Sequence, residues 1–468
     1  MTDRHAVIWT RVGESPIKMA SLVMTPRECR ITYTKDFVAS GLPGLTLIAD
    51  PAVIQQDTLI WKSTESRPLH PRLMALVPPN HAGNLQRRFY ADILARQPSP
   101  PAPGAETEWA ILLLAGHNGI GHVDVFSDDV EAEDWYSQRT QTPDMPVISV
   151  QNSRSKIWGL LKNEVRQNAG DLEELGYLAE IMGPTPTAGG MISKVLLSIP
   201  DRDTWTGEFL PYSARMGHNG FVDVIVKIEE PQYEGLLDLE SLCLDIHRKA
   251  NFTVPRSWRL DVDGLRVLAI ERFDRAKDGR PIPFESLMTL FSGGSRKILS
   301  SADVEWPEVG KNVAKLGRLC NLDIRKAQET LFRRLAFALC TGNGDMHLDN
   351  IGLLGGKEDV GLAPVYDPAP MRAWPRHNMR MAVPVDFNGD STIYQQIAGT
   401  APAFGLSIKE GEKMLIDVAK ITQDYCDRVM SLVDVPLARR KALVDVIKKE
   451  RDLMALKPLS GAKNRVNC

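Results

Sequence analysis

Residues 342–354 read GNGDMHLDNIGLL, and how they are read decides what kind of chain this is. Asp345, His347, Asp349 and Asn350 crowd one short polar stretch between a helix-like run, AQETLFRRLAFALC (327–340), and the apolar NIGLL. A polar cluster held between buried elements is a loop on a rigid scaffold, a common place for chemistry. Taken alone, D-x-H-x-x-N also fits a capped loop in which Asp345 and Asn350 bond local backbone. The surroundings of the loop have to decide between the two.

The chain has 468 residues, 43% hydrophobic and 25% charged, with a net charge of −3 and a pI near 6.3. That is a globular composition with room for roughly three units of about 150 residues each. Overall acidity argues against a nucleic-acid footprint spread over the whole chain. Six scattered cysteines form no CxxC pair and have no His at zinc-site spacing, which argues against a structural metal or a disulfide framework and fits a reducing, cytoplasmic setting. The first residues, MTDRHAVIWTRVGESP, lack the apolar core of a signal peptide, and no run is long enough to span a membrane. A soluble protein without a membrane partner is expected.

Residues 1 to about 95 alternate short β-like runs (AVIWTRV, ECRITYT, LTLIAD) with turns and then reach a helix-like LQRRFYADILARQ, which reads as a small α+β unit. PSPPAPGAETE (98–108) is expected to be a stiff, exposed connection. WAILLLAGHNGIGHVDVF runs through a glycine-rich turn into an alternating segment, and 130–180 is polar and helical in character. In MGPTPTAGGMISKVLLSIPD (182–201) a Thr/Pro/Gly turn precedes Lys194 and a β-like VLLSI. VDVIVKIEE is a strand carrying Lys227, and LDLESLCLDIHRK is an amphipathic helix carrying Glu240. SWRLDV and RVLAIERFDR form a hairpin around Asp263-Gly264, and beyond about 285 the pattern is chiefly helical.

The order is a Gly-rich turn, a strand with a Lys, a helix with a Glu, a hairpin, then a helical half containing GDMHLDN and PVYDPAP. Phosphoryl transfer from ATP needs these parts: backbone amides to cradle phosphate, a Lys to neutralise it and a carboxylate to orient that Lys. It also needs a carboxylate to accept the acceptor hydroxyl's proton, and hard oxygen ligands for Mg²⁺. Asp345 takes the catalytic role, Asn350 and Asp367 the metal, Lys227 the phosphate and Glu240 the support. Backbone groups from Glu271 to Phe273 are expected to meet adenine, and His347 to organise the loop. Asp345 and Asp367 are both expected to lie outside the packed core. Each feature has a plainer reading as a solvated strand end, helix face or turn, but their order favours the joint one.

On these residues, VIVK with Lys227, the Glu240 helix, LAIERFDR, GNGDMHLDN and PVYDP, the chain resembles the HipA family of bacterial Ser/Thr kinases, the toxins of type II toxin–antitoxin pairs. The resemblance implies an α+β, two-lobed, protein-kinase-like fold with a small N-terminal α+β subdomain (1–130), an N-lobe with the Gly-rich loop (131–275) and an all-helical C-lobe (276–468). It implies ATP and Mg²⁺ as cofactors, with Thr187, Gly189, Gly190 and Lys194 at the nucleotide and autophosphorylation on Thr187 or Thr185. A HipB-like helix-turn-helix antitoxin is the implied partner, DNA being reached only through it, and an aminoacyl-tRNA synthetase is the kind of substrate implied. The chain departs from the family pattern at Asp349, where Lys is common, in YDPAP, which lacks a Ser after the metal Asp, and in GGMISK, which lacks a polar residue two before Lys194. Two rival readings compete: a small-molecule phosphotransferase of the aminoglycoside or choline kinase type, and an inactive kinase that only binds an antitoxin–DNA complex.

Overall fold

Alternating apolar and polar residues in AVIWT, KMASLVM and ECRITY make three strands with one buried face, β1 (Arg4–Thr10), β2 (Ile17–Met24) and β3 (Glu28–Tyr33). The computed structural model describes residues 3–80, 84–140, 158–159, 161–162, 193–211, 220–262, 264–385 and 392–453. With β4 (Thr58–Lys62) and β5 (Asp124–Phe126) these strands form an antiparallel sheet in the order β4-β3-β2-β1-β5. LTLIAD, expected as a strand, is instead a single 3-10 turn (Leu47–Ala49). Thr46 Oγ1 accepts from the amides of Ile48 and Ala49, and Pro51, which has no N–H to give a ladder, opens the next helical turn. Helices Leu85–Ala95 and Ala105–Ala115 cover the sheet, and the Pro-rich connection between them is exposed, as its composition required.

A second antiparallel sheet has the order β7-β6-β8-β10-β9, from β6 (Lys194–Pro200), β7 (Leu210–Pro211), β8 (Phe221–Ile228), β9 (Ser257–Val262) and β10 (Leu265–Glu271). Side chains alternate between its faces. Val195, Leu197, Val224, Val226 and Val267 point to one side and merge with Leu22, Ile31, Trp109 and Leu112 of the first unit in a shared apolar core. Leu268 and Ile270 point to the other side, against Leu237 and Leu244 of the helix Leu236–Lys249. Lys194 and Lys227 belong to this second face and are directly paired across β6 and β8.

The C-terminal half packs helices Trp306–Leu316, Ile408–Ile421 and Leu437–Leu453 around the helix Ile324–Thr341, whose last turns are buried on every side. This half was expected to be wholly helical, yet it holds a small antiparallel sheet, β11 (Phe284–Ser286), β12 (Gly352–Leu354) and β13 (Gly361–Leu362). Strands of two or three residues are too short to carry a period of two, so no pattern announces them. Among the described residues no helix is long and apolar enough to cross a membrane.

Candidate functional site

Two like charges directly opposite on one sheet face repel, so the Lys194–Lys227 pair requires an anion between them. Asp367 supplies it. Lys227 Nζ donates to Asp367 Oδ1 at 2.6 Å and Lys194 Nζ donates to Asp367 Oδ2 at 3.2 Å. On its other side Lys227 Nζ donates to Glu240 Oε1 at 2.5 Å, and Glu240 is fully buried beneath the sheet. Burial alone would raise the Asp367 carboxyl, but Lys194 and Lys227 more than offset it and hold Asp367 well below the usual carboxylate range. Burial pulls Lys194 down, and it pushes Glu240 up against the opposing pull of Lys227. Burial would also lower Lys227, but Asp367 and Glu240 together keep it above its ordinary value.

Asp367 reaches this position from a left-handed backbone (φ 52°) immediately before Pro368, a combination few non-glycine residues adopt. It is 7% exposed, which corrects the expectation that it stands apart from the packed core. The reason is that its two lysines are themselves rooted in a buried sheet face, and their charges must be neutralised where they lie.

The polar loop 342–350 starts where the helix Ile324–Thr341 ends on Gly342 in the left-handed region (φ 75°). Gly344 then passes so close to the chain that a Cβ would lie 2.2 Å from the Met379 carbonyl oxygen. The amide of Asp345 donates to Asn343 Oδ1 (3.1 Å). The Asp345 carbonyl accepts from the amide of His347 (2.8 Å) and from Asn350 Nδ2 (2.9 Å). With its amide nitrogen so engaged, Asn350 has a buried Oδ1 with no hydrogen-bond partner among the described residues. The Asp345 carboxyl is raised chiefly by burial and also by Asp367, against the opposing charges of His347, Lys194 and His377. Asp345 thus shares the electrostatic neighbourhood of the lysine–aspartate cluster.

His347 is half-buried, and its Nδ1 lies 3.8 Å from Asp349 Oδ2. Asp349 is turned toward Ser286, whose Oγ donates to Asp349 Oδ1 at 3.1 Å, while the Asp349 carbonyl accepts from the Tyr366 hydroxyl at 2.6 Å. The acidic departure at 349 therefore braces the loop against the start of helix Leu287–Gly294, which Ser286 caps. An orphaned amide oxygen on Asn350 and a carboxylate on Asp367 suit Mg²⁺, which takes hard oxygens and commonly one or two protein ligands beside phosphate and water. Among the described residues no group of three His, Cys, Asp or Glu could hold a metal on its own.

Two of the backbone donors in the Glu271–Phe273 segment are already engaged. The amides of Glu271 and Arg272 are already bonded to the carbonyls of Arg256 (2.9 Å) and Asp223 (2.8 Å), so neither is a donor to a base. The Glu271 side chain pairs outward with Arg256, and the Phe273 ring packs edge-on to Phe284 and tilted against Tyr366. Sequence reasoning passed over the charges of the same motif. Asp274 accepts from Arg272 and Arg275 and from the Gly121 amide (2.8 Å), while the two arginines donate to the Gly119 carbonyl at 2.7 and 2.8 Å. ERFDR is thereby a clasp on the loop 118–121, and three charges ending an apolar strand were the available signal. Thr185, Thr187, Gly189 and Gly190 lie outside the described residues.

A profile described as the HipA-like C-terminal domain matches residues 187–426, 240 of the 468. The chain belongs to the HipA-like family. The match spans both lysines, Glu240 and the whole 342–367 constellation. Two curated proteins are similar over a shorter stretch: the "Putative kinase Y4dM" of Sinorhizobium fredii, 29% identical over 157 residues, and a "Putative kinase" of Haemophilus influenzae, 28% identical over 149. Each alignment covers 31% of this chain, and 36% and 43% of those proteins respectively. A chain in the solved complex of HipA, HipB and operator DNA from the toxin–antitoxin system of Shewanella oneidensis MR-1 superposes with a TM-score of 0.61 at 15% identity, over 96% of both chains. The HipA-like chain accordingly has the two-lobed, kinase-like α+β fold.

Proposed function

We propose that this HipA-like chain is an ATP- and Mg²⁺-dependent Ser/Thr protein kinase and the toxin of a toxin–antitoxin pair. The observation that carries the reading is Asp367, held between Lys194 and Lys227 with Glu240 behind Lys227 and facing the Asp345–Asn350 loop. Lys227, aimed by Glu240, and Lys194 meet the nucleotide's phosphates in place of Asp367. Asn350 Oδ1 and the Asp367 carboxylate would hold Mg²⁺, which would supply neutralising charge on the phosphates. Asp345, its carboxyl raised by burial, accepts the proton of the acceptor hydroxyl. His347 and Asp349 position the loop. The Glu271 carbonyl and the Phe273 amide meet adenine. Thr187 or Thr185 in the Gly-rich loop is the site of self-phosphorylation.

The partner read from this assignment is a HipB-like helix-turn-helix antitoxin, and the substrate a protein of translation such as an aminoacyl-tRNA synthetase. The likeness to a chain from a HipA–HipB–DNA complex supports the partner, and the kinase names of the two relatives support the chemistry. Intact-mass and peptide mass spectrometry on wild type and Asp345→Asn, before and after Mg·ATP, tests the chemistry. Phosphate added to Thr185 or Thr187 in the wild type alone is the expected result. No added mass from unmodified threonines would remove the self-phosphorylating kinase, leaving a small-molecule kinase or a binding-only protein.

A further inference from the structure

Arg334, on the helix Ile324–Thr341, is a buried cation with no carboxylate bonded to it among the described residues. Its Nη2 donates to the Asn350 carbonyl at 2.8 Å, its Nη1 is buried with no hydrogen-bond partner, and it makes no ion pair among the described residues. An uncompensated buried arginine is costly, and an anion that completes it recovers that cost.

Arg334 lines a cavity of about 300 Å³ behind the polar loop. Lys326 and Arg333 line the same cavity, together with Thr253, Thr330 and Val365. The one carboxylate in the wall, Asp323, already accepts from the Lys326 amide at 3.0 Å as the cap of the helix. Arg333 is half-buried, with its guanidinium carbon 4.6 Å from the centre of the Phe252 ring and Nη2 donating to the Ala250 carbonyl at 2.8 Å. The wall thus carries three cations and one carboxylate, with Asp417 and Glu329 acting on Arg333 from outside it, and threonine hydroxyls beside the cations complete a receptor for an anion rich in acceptor oxygens.

We infer that this cavity binds a small phosphate-bearing molecule, with Arg334 at its base and Lys326 and Arg333 at its mouth. The fork of an arginine matches phosphate oxygens, and a volume at the lower end of the range for ligand sites fits a small phosphate ester or pyrophosphate. The location adds weight. Arg334 holds the carbonyl of Asn350, and the Val365 amide, two residues before Asp367, donates to the Thr253 carbonyl at 2.8 Å. An occupant braces the supports of both residues assigned to the metal, from the side opposite the nucleotide. Binding itself does not depend on the kinase reading.

The test is calorimetric titration of inorganic pyrophosphate into the full chain at about 0.1 M salt, with an excess of a non-hydrolysable ATP analogue. Wild type is expected to take up one pyrophosphate. Lys326→Gln combined with Arg333→Gln should weaken that binding at least about tenfold, while thermal unfolding stays within a few degrees of wild type. Lys326→Gln alone, at an exposed position, should weaken it about threefold, and Arg334→Lys, which keeps the charge but loses the fork, should also weaken it. These substitutions locate the site whether or not the analogue binds. Absence of pyrophosphate binding by the wild type, or equal affinity in the wild type and the mouth variants, overturns the inference.

Discussion

Replacing Asp367 by Asn removes one charge from a buried set of four, Lys194, Lys227, Glu240 and Asp367, and leaves a net +1 beneath the sheet. Breaking a buried ion pair on one side costs roughly 3–5 kcal/mol, because the orphaned charge stays buried. The structure also sets a ceiling. Lys194, which burial already pulls down, can give up its proton, and near pH 7 that costs about 3.5 units of 1.36 kcal/mol, or about 5 kcal/mol. Near pH 9 the same escape costs only about 2 kcal/mol. The folded variant then holds its lysine proton less tightly than the unfolded chain does, so its stability rises with pH relative to wild type. Urea unfolding of wild type and Asp367→Asn near pH 7 and pH 9 should show a deficit of about 3–5 kcal/mol that shrinks to about 2 or less. A deficit below about 1 kcal/mol near pH 7, or one that does not narrow near pH 9, refutes the buried-cluster reasoning.

Asp345→Asn is expected to behave oppositely, with stability equal to or above wild type because burial already disfavours its charge, and phosphoryl transfer reduced at least about a hundredfold in a mass-spectrometric or radiolabel assay. Glu285 is pushed up to about 7 by burial, so its ionisation costs folding free energy that is absent below roughly pH 4 and fully felt above pH 7. Glu285→Gln should therefore gain up to about 3 kcal/mol over wild type near pH 8 and little near pH 4.5, read from urea midpoints. Burial lowers His70 to about 3 and His122 and His247 to about 4, so the stability they contribute is complete above roughly pH 6.5 and is lost as pH falls through those values. Thermal midpoints should decline steeply between about pH 6 and pH 4, and less so in His247→Phe. Asp274→Ala strands Arg272 and Arg275 and should cost about 3–5 kcal/mol, whereas a surface ion pair such as Arg280–Asp278 should contribute under about 1, both read by urea unfolding.

Much of the site was legible because its parts are local. Asp345 and Asn350 are five residues apart, and the loop between them is closed by bonds to the Asp345 carbonyl, so composition and spacing carried the information. The same holds for the Asp-Gly hairpin of β9 and β10, for the helix bearing Glu240 and for the Pro-rich connection. LTLIAD was misread because its period suits a strand while Thr46 and Pro51 close a turn around it. The sheet of β11, β12 and β13 was missed because pairing between distant short segments has no local pattern.

By itself the sequence determined which residue types were present in what order, and so the α+β class, the kinase-like succession of elements and the family to which the chain belongs. Hydrophobic periodicity and turn chemistry act within a few residues and are written in the chain. Only the tertiary structure decided that Lys194 and Lys227 are cross-strand partners, that Asp367, 140 residues beyond Lys227, is the buried anion between them, and that ERFDR clasps the loop at 118–121. It also decided that Arg334 is buried with its Nη1 unpartnered among the described residues. Long-range charge pairing depends on which faces a fold brings together, and burial sets its strength. Neither is a property of any one stretch of sequence.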